Sequence, residues 1–192
     1  MKNRRFTIVA LACAALFAGC ATNVKKPTAE NNPPPAEAFS KFTSFELKPI
    51  NTVEGCDKQH GADVALQTIE GQLKSRLGGM IAGWNTDGAK QANPRKLVIE
   101  PICSDAKLVG THARIWGGAF AGSSAVVLKV RYVDATSNRT IAEPVFYQRA
   151  NAMGATWSFG ATDRDMLTRM VDLITNYTSQ NYQAAVGGPT GL

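Results

Sequence analysis

The chain has 192 residues, 44% of them hydrophobic and 19% charged, with two histidines and a formal net charge of +6. That length suits one domain able to bury its own core. Two histidines offer little for a metal centre or for acid–base catalysis, so neither a metal nor any other cofactor is expected.

Lys2, Arg4 and Arg5 head an uncharged apolar run from Phe6 to Phe17. The run is too short for a comfortable membrane span and has the plan of a secretory signal. Residues Leu16 to Cys20 resemble the bacterial lipobox, in which small residues precede a cysteine that is acylated after cleavage; Phe17 stands where that motif usually has leucine. Residues 1–19 are therefore expected to be a lipoprotein signal peptide and Cys20 the lipidated residue. Cleavage removes three basic residues and no acidic one, so half of the net charge belongs to the signal and no nucleic-acid partner is expected. Ala21 is not the aspartate typical of inner-membrane retention. The expected location is the periplasmic face of the outer membrane, reached through the N-terminal lipid.

Residues 20–39 hold Pro33, Pro34 and Pro35 and few large apolar groups, and read as an extended tether. A domain is expected over 40–183. Phe45 and Leu47 alternate with Glu46 and Lys48 as a strand that Pro49 ends or places at an edge. Leu66, Ile69, Leu73, Leu77, Ile81 and Trp84 recur at helical spacing between Ala62 and Trp84, with a break plausible at Gly78 and Gly79. Lys96 to Cys103 is a second strand, and strand–helix–strand order predicts a parallel crossover. Leu128, Val130 and Tyr132 alternate with Lys129 and Arg131 as the clearest strand, and a turn at 134–139 leads to a hairpin partner with a defect at Pro144. A last helix opens near Thr162 and carries Met166, Met170, Leu173 and Tyr177 on one side. Residues 184–192 read as a flexible tail. The fold class is a single α+β domain, a mixed sheet of four to five strands with two amphipathic helices on one face.

Cys56 and Cys103 remain once the signal and the lipid site are set aside. In an exported chain they can form a disulfide, or stay two small buried hydrophobes. The stretch from Gly110 to Ser123 sets Arg114, Trp116 and Phe120 among glycines. It lacks the Gly-Lys-Ser/Thr of a phosphate loop and runs into a strand rather than a helix, so nucleotide binding is not expected. The glycines permit a tight bend, while Arg114, Trp116 and Phe120 are the candidate partner contacts. His112 beside Ser123 and Ser124 is the nearest approach to a base and hydroxyl pair, and no nucleophile elbow surrounds it.

Gly110 to Arg114, Gly117 to Ser123, the strand ending at Asp134 to Thr136, and the closing Asp163 to Leu167 with Tyr177, Asn181 and Tyr182 together resemble a family of bacterial lipoproteins named domain of unknown function 4410. The resemblance spans roughly residues 43 to 183. It implies an envelope lipoprotein with an α+β domain and supplies no reaction. The expected role is non-enzymatic, the binding of a protein partner or envelope component; the alternative is an envelope hydrolase or cell-wall-modifying enzyme. A cleft of convergent polar groups would favour the enzyme, an apolar patch among charges the binding module, and a closed apolar cavity a small lipid or glycan ligand.

Overall fold

A computed structural model describes residues 24–53, 56, 61–89, 94–109, 123–150 and 161–192. The expected α+β class holds, with six strands in the main sheet rather than four or five. Its centre is an antiparallel pair, β4 (Lys96–Lys107) and β5 (Ala125–Asp134), in register from Leu97 opposite Asp134 to Lys107 opposite Ala125. On one side β2 (Ser44–Leu47) and β3 (Asn51–Thr52) both pair parallel with β4. On the other, β6 (Arg139–Ala142) and β7 (Val145–Arg149) both pair antiparallel with β5.

Proline explains the extra strands. Pro49 lies in the gap between β2 and β3, and Pro144 in the gap between β6 and β7. Each divides a flanking strand into two, because proline cannot donate to a ladder. Pro101 faces Val130 inside a central strand, a place proline seldom occupies. The N–H of Val130 turns away from β4 and donates to the Pro144 carbonyl at 3.0 Å. The pair is thus one that exchanges no bonds, and the Pro101 nitrogen points at the gap between β2 and β3, where no donor is required.

Two helices cover one face. α1 (Ala62–Gly88) buries Ala65, Ile69, Leu73, Leu77 and Ile81, one residue every four, against β2 and the sheet centre. α2 (Ala161–Gln183) buries Met166, Met170, Val171, Ile174 and Tyr177 against β7. Arg76 bonds Asp172, and Trp84 stacks on Tyr182 at 4.1 Å, so the helices run side by side in one direction. From the sheet, Leu97, Ile99, Cys103, Leu128, Val130, Tyr132 and Phe146 point into the same layer. Phe39, in a short 3-10 turn (Phe39–Lys41), stacks on Tyr132 at 4.7 Å. The Tyr132 hydroxyl, buried, shares a 2.6 Å hydrogen bond with Thr178.

The domain limits move outward from 40–183 at both ends. β1 (Asn31–Asn32) pairs antiparallel with β8 (Gly188–Pro189) beside the outer edge of β7. The Asn32 side chain accepts from the Val145 N–H at 2.8 Å and donates to the Val145 carbonyl at 3.0 Å, taking the place of a neighbouring strand. Tyr147 N–H donates to the Thr190 carbonyl at 2.8 Å, and the Thr190 hydroxyl reaches the Ala29 carbonyl at 2.8 Å. Asn181 holds the turn into β8 by bonding Val186 N–H, Gly187 N–H and the Gly187 carbonyl. Residues 184–192, expected as a flexible tail, are thus fixed from Val186 onward. Residues 29–38 of the expected tether belong to the fold, because edge strands need their backbone groups covered. The opposite edge is closed in the same way: the Asn85 side chain accepts from Phe45 N–H at 2.6 Å and donates to its carbonyl at 3.1 Å.

Cys56 and Cys103 are both fully buried and joined as a disulfide, with Cα atoms 6.0 Å apart across 47 residues. The chain-entropy model gives closure of such a loop at most about 4 kcal/mol. The Cys56→Ala, Cys103→Ala double variant is expected to lose up to that amount in urea unfolding, and reductant to lower the melting temperature of the wild type but not of the variant.

The expected break in α1 does not occur. The helix runs through Gly78 and Gly79, and a Cβ on Gly79 would meet open space. Gly88 differs: a Cβ there would lie 1.8 Å from the Thr43 carbonyl oxygen, which packs on the end of the helix. Gly79→Ala should therefore stabilise the domain by about 0.5–1 kcal/mol. Gly88→Ala should destabilise it by about 1–3 kcal/mol. Chemical denaturation of the two variants beside the wild type checks the opposite signs.

Candidate functional site

The helices leave the other face of the sheet open, and the strands load it with charge. Glu46 of β2 and Lys48 just after it, Lys96 and Glu100 of β4, and Lys129 and Arg131 of β5 alternate with the inward residues and so point outward. They pair with one another. Lys48 and Lys96 flank Glu46 and hold its carboxyl down at about 2, mainly through the Lys48 hydrogen bond. Arg131 lies 3.3 Å from Glu100 and 3.6 Å from Glu143, and Lys129 lies 3.5 Å from Glu143. Half-buried Val98, Ile102 and Val145 sit between these pairs, and Tyr147 lies further along the same face.

Where the flanking strand breaks, the face opens into a cleft of about 310 Å³ lined by Lys48, Pro49, Asn51, Glu100, Pro101, Ile102 and Arg131. Pro49, which interrupts the flanking strand, and Pro101, which leaves that gap without a donor, both line it. None of the lining residues is a histidine, cysteine, serine or threonine. Its chemistry is therefore that of charged and amide groups over a small apolar floor. Such a surface can exchange its internal ion pairs for pairs with a partner.

At the end of the sheet near the β5–β6 turn, a second cluster has a structural task. Arg95 donates to both Glu37 carboxylate oxygens, at 2.9 and 3.1 Å, and to Asp134 at 2.9 Å, with its guanidinium 4.3 Å over the Phe42 ring. Arg139 also donates to Glu37. The cluster ties the N-terminal segment to β4 and β5. The Arg95 hydrogen bond is the largest influence on both carboxyls, lowering that of Glu37 and holding that of Asp134 down at about 2.

Of the residues singled out from the sequence, Cys56 and Cys103 are brought together. Cys20, Arg114, Trp116 and Phe120, the rest of 110–122, His60 and His112 lie outside the described residues. The stretch between leaves β4 through Val109 and returns through Ser123 and Ser124, both buried. Ser124 accepts the Val109 N–H at 3.0 Å and its carbonyl accepts the Ala150 N–H at 2.8 Å, so it braces the chain where β5 begins. Among the described residues no group of three or more His, Cys, Asp or Glu could hold a metal ion, and no helix is long and apolar enough to cross a membrane. Sequence reasoning missed the Arg95, Glu37 and Asp134 cluster and the edge-capping asparagines, whose partners lie 39 to 113 residues away.

The acid response of the Arg95 cluster has a definite sign. A carboxyl depressed in the folded chain contributes stability above its ordinary value, 3.8 for Asp134, and loses it as pH falls through about 2. Unfolding experiments should show wild-type stability declining through that window. Asp134→Asn should flatten the decline by on the order of 1 kcal/mol, after allowance for solvent screening.

No protein-family model matches the chain, that of domain of unknown function 4410 included, and no curated protein sequence matches it. Solved structures of similar layout include the PelC dodecamer from Paraburkholderia phytofirmans, at 10% identity and TM-score 0.41, covering 85% of this chain and 99% of that one. A protein from Xanthomonas campestris assigned to domain of unknown function 330 has 13% identity and TM-score 0.39, covering 84% and 93%. A candidate lipoprotein from Caulobacter crescentus has 14% identity and TM-score 0.33, covering 69% and 89%. These likenesses are of layout alone, and the overlap is too slight to carry an argument about family or activity.

Proposed function

We propose that this chain is a bacterial lipoprotein of the outer membrane, acylated at Cys20 on the periplasmic face, whose domain binds a protein partner in the cell envelope and catalyses no reaction. The anchor rests on the basic head, the short apolar run and the small residues before Cys20. The open face of the sheet carries the binding reading: Val98, Ile102 and Val145 lie half-buried among paired charges, with neither helix over them. Apolar groups enclosed by charge suit a protein surface better than a small solute. Arg131 is the central group, because it stands between Glu100 and Glu143 and lines the cleft.

A photo-crosslinking side chain placed at Ile102 in cells should give discrete crosslinked species. The same group at Val64, 62% exposed on the outer side of α1, should give none. Arg131→Glu should weaken the Ile102 crosslink at least tenfold with the melting temperature little changed. Equal patterns at Ile102 and Val64, or no product at either, would reject the open face as the binding surface.

A further inference from the structure

The described chain begins beside one particular end of the sheet. Lys25 N–H donates to an Asp105 carboxylate oxygen at 2.9 Å. Asp105 reaches the open face because the register shifts between Cys103 and Asp105, a bulge that turns the following residues over. Asp105 pairs with Val127, Val127 with Tyr147, and Tyr147 donates to Thr190, whose hydroxyl reaches Ala29. Residues 25 to 29 therefore join the two ends of one row, running crosswise over the open face like a strap. Val127, in the middle of that row, is 2% exposed.

The strap fixes where an anchor can be. Cys20 is five residues before Lys25, and five extended residues span at most about 17–18 Å. β4 runs twelve residues, about 40 Å end to end. The last row of the sheet, Lys107, Ala125 and Arg149, lies two residues beyond Asp105, about 7 Å. The β5–β6 turn at Ala135 lies level with Lys96 at the far end of β4, about 30 Å from Asp105. Local charge favours one of the two orientations that this reach allows, end-on or face-down. Around the strap the near end carries Lys25, Lys26, Lys107 and Arg149 against Asp105, with Arg164, Asp63, Asp163 and Asp165 set apart at the starts of the helices, whereas the cations of the open face are interleaved with Glu46, Glu100 and Glu143.

We propose that the sheet end carrying Lys107, Ala125 and Arg149 faces the bilayer, with Lys25, Lys26, Lys107 and Arg149 against anionic lipid headgroups. This orientation rests on the Cys20 anchor and leaves the open face accessible from the periplasm. Basic residues this close to a lipid anchor add a second, salt-sensitive attachment.

The test uses the full-length lipidated protein in phosphatidylethanolamine and phosphatidylglycerol vesicles with a quencher on the headgroups. One fluorophore is introduced through a non-natural side chain at Asp165, exposed in the first turns of α2 at the near end, or at Ala135, exposed at the far end. Quenching at Asp165 several-fold stronger than at Ala135 is expected, together with a loss of the difference between phosphatidylglycerol-containing and neutral vesicles in Lys107→Glu, Arg149→Glu. Equal quenching at both positions means the domain lies on its face and overturns the orientation. No quenching at either, with acylated Cys20 confirmed by mass spectrometry, means the domain stands away from the surface; that overturns the orientation and leaves the anchor intact. An unmodified N-terminus in the mass spectrum removes the anchor and the orientation with it.

Discussion

The antiparallel ladder of β4 and β5 is the constraint on which the molecule depends. It is the longest pairing in the sheet, and every other strand of that sheet pairs with one of its two members. Its inward residues, Leu97, Ile99, Cys103, Leu128, Val130 and Tyr132, form the floor on which both helices rest. The disulfide grips it at Cys103, and the Arg95 cluster grips it at Asp134. A one-residue slip would exchange its apolar face for its charged one, so the register is strongly determined. The bulge after Cys103 is the one place where that alternation is reset, and the N-terminal segment docks there.

What the residues reveal on their own follows from local periodicity. The two-residue alternation of β5 and the four-residue spacing in α1 are legible because each element has one wet side and one dry side. The parallel crossover and the closing hairpin follow from element order. The prolines are legible as defects, but their effect is clear only in three dimensions: Pro49 and Pro144 split strands whose halves pair with the same neighbours, so counting strands from sequence falls short. The ends of the domain are misread for a different reason. Residues 29–38 are polar and rich in proline, the composition of a linker, and they are held by hydrogen bonds from Asn32, Tyr177 and Thr190 rather than by apolar burial. Composition reports hydrophobic content, and it is silent on a segment fixed by its backbone.

The same distinction governs the site. Two cysteines left over in an exported chain are legible as a pair, since few alternatives remain. The open face was visible only as the outward half of each alternating strand, with no sign that the outward halves of β2, β4 and β5 would interlock. Arg95 lies outside every periodic element, and its partners Glu37 and Asp134 are 58 and 39 residues distant. No spacing rule connects them. Attention to aromatic residues among glycines drew Arg114, Trp116 and Phe120 forward, whereas the charged rows of the sheet lacked any unusual residue to mark them.

The closing of the β7 edge has a consequence for the order in which the chain acquires its shape. The groups that cover that edge come from opposite ends of the sequence, Ala29 to Asn32 and Gly188 to Gly191, and the Thr190 to Ala29 bond spans 161 residues. Nothing in between can substitute, because Tyr147 N–H has its partner only once Thr190 exists. A chain exported as far as α2 already holds the sheet centre, the disulfide cysteines and both helices, yet still presents an uncapped strand. The sheet edge becomes inert only when Gly191 has followed, so the interval before that moment is when such a chain most needs shielding from its own copies.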